Sequence, residues 1–173
     1  MFSEGFEKIE SACFSGYRAL KLPFSPSMGN GVYARLLDRL EGELDRLLER
    51  GVKTYYCGVC DGFDLICGEL LLPRVARGEA ELVSVVPFSG QEQGFSEYWK
   101  RKYFEVIEGS SKVVTLFDSF FKGAYMSRNR YLVDHSELLL AYYDGKSGGT
   151  EQTFRYAIEQ KLKIINIANT REK

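Results

Sequence analysis

A run of glycine and polar residues between positions 143 and 150 carries the clearest chemical signal in this sequence. Asp144 lies early in the run, and Gly148, Gly149 and Thr150 open a predicted helix. Such glycines let backbone N–H groups approach a phosphate, and the positive end of the helix dipole attracts its charge. The order differs from G-x-x-x-x-G-K-[ST], because Lys146 precedes the paired glycines. The run predicts an anion site, and the alternative is a flexible strand–helix turn.

The turn formed by Ser15, Gly16, Tyr17 and Arg18 is a second candidate for anion binding. A small residue and a glycine directly after a strand leave backbone N–H groups open to an anion. The arginine can add charge-assisted hydrogen bonds. Taken alone, the same residues also fit an ordinary turn with a surface arginine.

The segment 57–64 joins a predicted strand to a predicted helix and contains Gly58, Asp61 and Asp64. Helix capping explains at least one of the two aspartates, because a side-chain oxygen there satisfies an unpaired N–H group. Asp64 and Glu69 are also candidates for binding the hydroxyls of a ribose. Both roles stay open for Asp64, whereas a structural role is favoured for Glu69.

Two further groups of residues fit either ligand contact or ordinary structure. Arg128 and Asn129 precede the apolar face of a predicted helix and are candidate ligand contacts, with a solvated helix face as the alternative. Tyr98 and Trp99 offer an aromatic wall for a base, although core packing is the commoner role of a tryptophan.

The pair Cys57 and Cys60 forms a C-x-x-C, which fits a redox pair or half of a zinc site. Neither a second C-x-x-C nor a nearby histidine supplies the remaining ligands, so buried reduced thiols are favoured. We therefore expect no metal and no cofactor.

The elements that must position these residues follow from an alternation of apolar runs and amphipathic stretches. The predicted strands cover residues 11–15, 53–57, 81–86, 112–116, 138–143 and 164–167, and helices are predicted over 61–76, 95–108, 123–135 and 149–160. A further helix has its apolar face between residues 33 and 48 and ends at Gly51. This order predicts an α/β three-layer sandwich with a mostly parallel six-stranded sheet, whose strand-following loops meet at one edge.

Length and composition limit the classes of protein that the chain can represent. A chain of 173 residues with 45% hydrophobic and 27% charged residues predicts one globular domain over residues 1–173. The net charge of −1 disfavours nucleic acid as a partner. We expect no membrane span and, because residues 1–10 lack the pattern of a signal peptide, a cytoplasmic protein.

Together these loops resemble the YpsA-like family of the SLOG superfamily, whose Rossmann-like relatives include the Lonely Guy phosphoribohydrolases and the DNA-processing protein DprA. The resemblance rests on segments 15–18, 21–23 and 58–69, on residues 87, 88 and 91, and on segments 128–129, 144–145 and 148–150. It implies a Rossmann-like fold that binds nucleotides or nucleotide-derived ligands. Two departures are the tyrosine at position 17, where the family usually has histidine, and Asp61, where it usually has a smaller residue.

The resemblance also bears on catalysis, since the hydrolase relatives place a glutamate three residues after the threonine of their glycine-rich motif. Thr153 holds that position here, so the carboxylate that would stabilise a ribosyl centre is missing there. The single histidine, His135, is interpreted as a satisfied residue at a helix end.

The function predicted from the sequence is binding or sensing of a nucleotide-derived small molecule of the ADP-ribose type, with the catalytic residues unassigned. The alternative is hydrolysis of an N-glycosidic or nucleotide bond, with Asp64, Glu69 or Glu151 as acid or base. A homodimer is expected by analogy with related sheet-based proteins.

Overall fold

The computed structural model of the protein describes residues 7–26 and 31–169. Strands and helices alternate along the chain, as the sequence predicts. The strands are β1 (Ser11–Gly16), β2 (Thr54–Cys57), β3 (Glu81–Phe88), β4 (Lys112–Phe117), β5 (Leu138–Tyr142) and β6 (Lys163–Asn166). The α-helices are α1 (Gly31–Glu49), α2 (Phe63–Ala76), α3 (Glu97–Gly109), α4 (Ala124–Asp134) and α5 (Gly149–Glu159).

All six strands form one parallel sheet with the order β4-β3-β2-β1-β5-β6. The strand order reverses between β1 and β5, which are neighbours in the sheet although three strands separate them along the chain. In their register, Ala12 pairs with Leu138 and Gly16 pairs with Tyr142. Ligands of open α/β sheets bind outside the carboxyl ends of the strands at such a reversal.

Two hydrophobic cores separate the helices into two layers. Helices α1, α2 and α3 pack on one face of the sheet, and α4 and α5 pack on the other. Alternate residues of a strand point to opposite faces, so Ala12 and Phe14 belong to the first core while Cys13 belongs to the second. The fold is therefore the predicted three-layer α/β sandwich, and its sheet is parallel at every pair of described strands.

Helix α1 shows why the sequence pattern was informative. Its buried leucines, Leu36, Leu40, Leu44 and Leu47, recur at the spacing of one helix face. The helix ends before Gly51, whose φ of 91° is the left-handed conformation that a glycine adopts most readily after a helix. The other elements lie within two residues of their predicted bounds.

The predicted capping role of Asp61 or Asp64 is wrong. The N-cap of α2 is Gly62, with no side-chain cap hydrogen bond, because the turn enters the helix through a glycine at φ 99°. Asp61 pairs instead with Arg18, and Asp64 accepts a hydrogen bond from the backbone N–H of Cys60. Within the described ranges, no helix is long and apolar enough to span a bilayer. Residues 1–6, used in the prediction about a signal peptide, lie outside the described part of the chain.

Candidate functional site

A cleft of about 510 Å³ opens at the carboxyl edge of the sheet, beside the ends of β1 and β5. It is lined by the end of β1 and the turn after it, the segment leading into α2, Gly94 before α3, one face of α4, and the start of α5 with the turn before it. Because α1 leaves β1 toward one face of the sheet and α5 leaves β5 toward the other, the chain diverges here. The cleft occupies this divergence, and its volume lies within the range of about 300–1,000 Å³ typical of small-molecule sites.

The start of α5 lines the cleft, and its first backbone N–H groups take no part in the hydrogen bonds of the helix. The first hydrogen bond of the helix runs from the N–H of Gln152 to the carbonyl of Gly148, so the N–H groups of Gly149 and Thr150 precede the helical ladder. Gly148 is the N-cap, has a φ of 138° and provides no side-chain cap. This end of the cleft therefore has the donors and the helix dipole that attract an anion.

Two polar side chains converge on the same turn from other elements. A Cβ placed on Gly148 would lie 2.9 Å from Nζ of Lys21, and one on Gly149 would lie 3.9 Å from Nδ2 of Asn129. A side chain at position 148 would thus displace the lysine. The absence of a side chain at Gly148 therefore lets the Lys21 ammonium lie directly against the turn.

Hydrogen bonds tie the turn after β1 to the turn after β5. The hydroxyl of Tyr17 donates to the carboxylate of Asp144 at 2.7 Å and accepts the backbone N–H groups of Asp144 and Lys146, each at 3.0 Å. Lys21 donates to the carbonyl of Ser147 at 3.0 Å, and Lys146 donates to the carbonyl of Lys21 at 2.9 Å. The two turns are consequently held as one unit around the cleft.

Arg128 is the buried cation of the site, with 3% of its surface exposed. Its guanidinium donates to the carbonyl of Gly58, lies 3.2 Å from the sulfur of Cys60, and donates through Nε to Oδ1 of Asn129 at 2.9 Å. The last bond fixes the Asn129 amide so that Nδ2 points toward α5. A Cβ on Gly58 would lie 2.8 Å from the guanidinium carbon, so the glycine permits this close approach.

Asp64 is a buried carboxylic acid in the wall of the cleft. Burial raises its pKa from 3.8 to about 6, because an ionised carboxylate loses its hydration there. Attraction to Arg128 and the hydrogen bond from the N–H of Cys60 act in the opposite direction. A carboxyl group with a pKa of about 6 is within the range of general acids and bases.

Arg18 stands at the cleft wall with half of its side chain exposed. Its Nε donates to Asp61 at 2.7 Å, so its charge is already paired. The guanidinium lies 5.7 Å from the ring centre of Phe95 and 6.0 Å from that of Tyr125. Tyr125 itself belongs to the face of α4 that lines the cleft.

Most residues predicted for the site lie around this one cleft. The wall includes Ser15, Gly16, Tyr17, Arg18, Asp64, Arg128, Asn129, Gly148, Gly149 and Thr150. Gly58 and Asp144 are not part of the wall and act behind it, as partners of Arg128 and Tyr17 respectively. Arg18 and Arg128 face the same cleft, as expected from their positions at one sheet edge.

Sequence reasoning did not assign Lys21, Cys60, Asp61 or Tyr125 to the site, although all four line it. The loop position of Lys21 after β1 was an available signal, since it follows Arg18 by three residues. Tyr125 had a signal as well, because it lies one helical turn before Arg128 and therefore on the same face of α4.

Several other candidates lie away from the cleft. Glu69 pairs with Lys102 at 2.6 Å, and Glu151 pairs with Arg155 along α5 at 2.8 Å. Trp99 packs in the first core rather than forming an aromatic wall. Thr153 is buried and donates to the carbonyl of Gly149 at 2.9 Å. His135 is exposed, stacks on Tyr131 at 3.8 Å between ring centres and contacts that residue's carbonyl, which agrees with a satisfied helix-end histidine.

The four cysteines are free and buried, which agrees with the favoured interpretation of the C-x-x-C. Burial raises the pKa of the Cys60 thiol, so the group beside Arg128 is a neutral thiol. Within residues 7–26 and 31–169, no cluster of three histidine, cysteine or carboxylate side chains could hold a metal ion.

These features define a Rossmann-like α/β protein with an open cleft at the switch point of its sheet. Residues 12–169 match the profile of the YpsA family, described as the YspA SLOG family, and the chain belongs to this family. A UPF0398 protein of Halalkalibacterium halodurans is 25% identical over 79% of this chain and 73% of its own length. The uncharacterised SPbeta prophage-derived protein YoqJ of Bacillus subtilis is 23% identical over 75% of this chain and 84% of its own length.

Solved structures of DNA processing protein A share the fold. The protein of Helicobacter pylori, whose structure concerns a single-stranded DNA binding mode, aligns with a TM-score of 0.62 and 15% identity over 91% of this chain. The protein of Streptococcus pneumoniae aligns with a TM-score of 0.60 and 16% identity, again over 91% of this chain. The alignments span 64% and 50% of those two chains, respectively. At this level of identity the likeness shows the fold alone.

Proposed function

We propose that this protein binds or senses a nucleotide or nucleotide-derived ligand, with a phosphate of the ligand at the turn formed by Gly148, Gly149 and Thr150. The observation that carries the proposal is the uncapped start of α5, which opens into the cleft opposite Lys21 and Asn129. Backbone N–H donors, the positive end of a helix dipole and a cation lie close together here, and each of them favours phosphate binding.

The hydrogen-bond partners of Lys21, Arg18 and Arg128 indicate which of these cations contacts the phosphate. The ammonium of Lys21 donates to a neutral carbonyl, that of Ser147, so its charge can be shared with an entering anion. Arg18 is already paired with Asp61, and Arg128 is committed to Gly58, Cys60 and Asn129. We therefore assign the phosphate contact to Lys21 and the α5 turn, with Arg128 positioning Asn129.

Thr150→Ala tests the phosphate site, with Thr153→Ala as a matched control on the same helix. Thr150 lines the cleft, whereas the hydroxyl of Thr153 is occupied within α5. Loss of the Thr150 hydroxyl should weaken binding of AMP and ADP-ribose by roughly 1–3 kcal/mol, the range for a hydrogen bond to a charged group. Calorimetric titration measures the change. Equal affinities of the wild type and Thr150→Ala, or no binding of either nucleotide to the wild type, would contradict the proposal.

Hydrolysis of an N-glycosidic or nucleotide bond is the second candidate function, and Asp64 is the observation that favours it. Of the three carboxylates considered from the sequence, Asp64 lines the cleft, while Glu69 and Glu151 form ion pairs elsewhere. Its pKa of about 6 suits a general acid or base. Chromatography of AMP and ADP-ribose mixtures detects released base or ribose phosphate. Multiple turnovers that disappear in Asp64→Asn would replace the binding function by an enzymatic one.

Single-stranded DNA is titrated as a separate ligand, because the Helicobacter pylori structure concerns a single-stranded DNA binding mode. The net charge of −1 argues against it for this chain. A labelled oligodeoxythymidine should therefore not bind at about 0.15 M salt. Tight binding that weakens steeply with added salt would instead favour a nucleic-acid function.

A further inference from the structure

The guanidinium of Arg18 lies over the ring of Phe95, which is buried in the first core, and over the ring of Tyr125. These three groups are here called the stacking shelf. The Arg18 carbon Cζ lies 5.7 Å from the centre of the Phe95 ring and 6.0 Å from that of Tyr125. Arg18 and Tyr125 both line the cleft that contains the start of α5. The phosphate site proposed above uses neither side chain.

The stacking shelf is held in place from several sides. Asp61 binds Nε of Arg18 at 2.7 Å, which restrains the guanidinium plane while half of the side chain stays exposed. The Tyr125 ring packs edge-on against Phe88 at 5.4 Å, and the buried Arg128 guanidinium lies 5.7 Å from its centre. A side chain ordered in advance loses little conformational entropy when a ligand stacks on it.

We propose that the stacking shelf binds the base of a nucleoside phosphate whose phosphate occupies the α5 turn. The inference rests on the proposed function and adds to it the part of the cleft that holds the base. Planar guanidinium groups and aromatic rings stack on the faces of bases. Because every base has such a face, stacking tolerates all four bases. Purines bind more tightly than pyrimidines because their larger rings bury more area.

The decisive comparison is between AMP and ribose 5-phosphate, which share the phosphate and the sugar and differ by the base. Calorimetric titration of the wild type should give an affinity for AMP at least about tenfold higher than for ribose 5-phosphate. Tyr125→Leu should lower the affinity for AMP to that for ribose 5-phosphate and leave the affinity for ribose 5-phosphate unchanged. Tyr125→Phe keeps the ring and should retain the AMP affinity within about twofold.

Arg18→Gln and a control complete the experiment. Arg18 is half exposed, so we expect this variant to fold. It should lower the affinity for AMP and leave the affinity for ribose 5-phosphate unchanged. Phe104→Leu removes an exposed aromatic residue of α3 that does not belong to the described cleft wall, and it should change neither affinity. Thermal unfolding of each variant checks that it is folded.

The outcomes separate the two proposals. Equal wild-type affinities for AMP and ribose 5-phosphate would overturn the stacking shelf while the phosphate site stands. Equal weakening of both ligands by Tyr125→Leu or by Arg18→Gln would do the same, because the residue would then contact the shared phosphate or sugar. If neither ligand binds the wild type, the proposed function fails, and the inference fails with it.

Discussion

A carboxylic acid that titrates near pH 6 in the wall of a cleft changes both the chemistry and the stability of the protein. Asp64 is 7% exposed, and burial is the main cause of its raised pKa. The folded state therefore binds the proton more tightly than the unfolded state does. It follows that the contribution of Asp64 to stability is most favourable below pH 4 and declines as the pH rises from about 4 to about 6.

Asp64→Asn should remove this decline. A shift of about two pKa units corresponds to roughly 3 kcal/mol as an upper value. The unfolding temperature of the variant should therefore rise relative to that of the wild type by about 5 °C or more between pH 4 and pH 7.5. Scanning calorimetry across this range measures the difference, with the exposed Asp118→Asn as the control. Parallel curves for Asp64→Asn and the wild type would show that Asp64 keeps an ordinary pKa.

Tyr17 illustrates what a residue pattern can and cannot predict. Its place after β1 put it at the site, and the structure places it in the cleft wall. Its hydroxyl, however, holds Asp144 and Lys146, which lie 127 and 129 residues further along the chain. Such long-range hydrogen bonds depend on how two turns meet in space. A local pattern therefore found the turn but not the partners of its tyrosine.

At the scale of elements, the turn that leads into α2 holds the turn after β1 in position. The N–H of Phe63 donates to the carbonyl of Tyr17 at 3.1 Å, and Gly62 packs directly on that backbone. A Cβ at Gly62 would lie 2.6 Å from both the carbonyl oxygen of Tyr17 and the nitrogen of Ala19. The φ of 99° at Gly62 adds a second reason for glycine.

Gly62→Ala should therefore destabilise the protein by about 2 kcal/mol or more, since the backbone clash and the unfavourable φ act together. Gly42→Ala is the matched control, because Gly42 lies within α1 with nothing within 4 Å of its added Cβ. That change should stabilise the protein by about 0.5–1 kcal/mol through helix propensity. Urea unfolding of both variants measures the two effects. Equal, small effects would contradict the close approach at Gly62.

The elements were predictable because apolar runs and helix-length amphipathic stretches are local signals. The leucines of α1 and the buried strand β5 are examples in which local pattern and final packing agree. The role of Asp61 was not predictable in this way, because its partner Arg18 lies 43 residues earlier in the chain. The partner of Lys21 was equally beyond the reach of a local pattern, since its contact with Ser147 spans 126 residues.

At the scale of the whole molecule, the sheet brings two distant parts of the chain together to make the site. Arg18, Asp64 and Arg128 lie in segments that follow β1, β2 and β4, respectively. The glycine turn follows β5, on the other side of the switch point. The predicted homodimer and the cytoplasmic location stay predictions. Light scattering of the purified chain measures its mass in solution and tests the first of them.

The neighbouring positions of β1 and β5 have a kinetic consequence. The cleft cannot form until residues 127 apart, such as Tyr17 and Asp144, have met, and contacts of long sequence separation slow folding. We expect them to form after the transition state, so a bound nucleotide should slow unfolding and leave the refolding rate unchanged. Stopped-flow measurements with and without saturating AMP test this, and faster refolding with AMP would place the cleft in the folding nucleus. A ligand of this cleft would then mainly lengthen the lifetime of the folded protein. It would thereby slow losses that begin from the unfolded chain, such as aggregation and proteolysis.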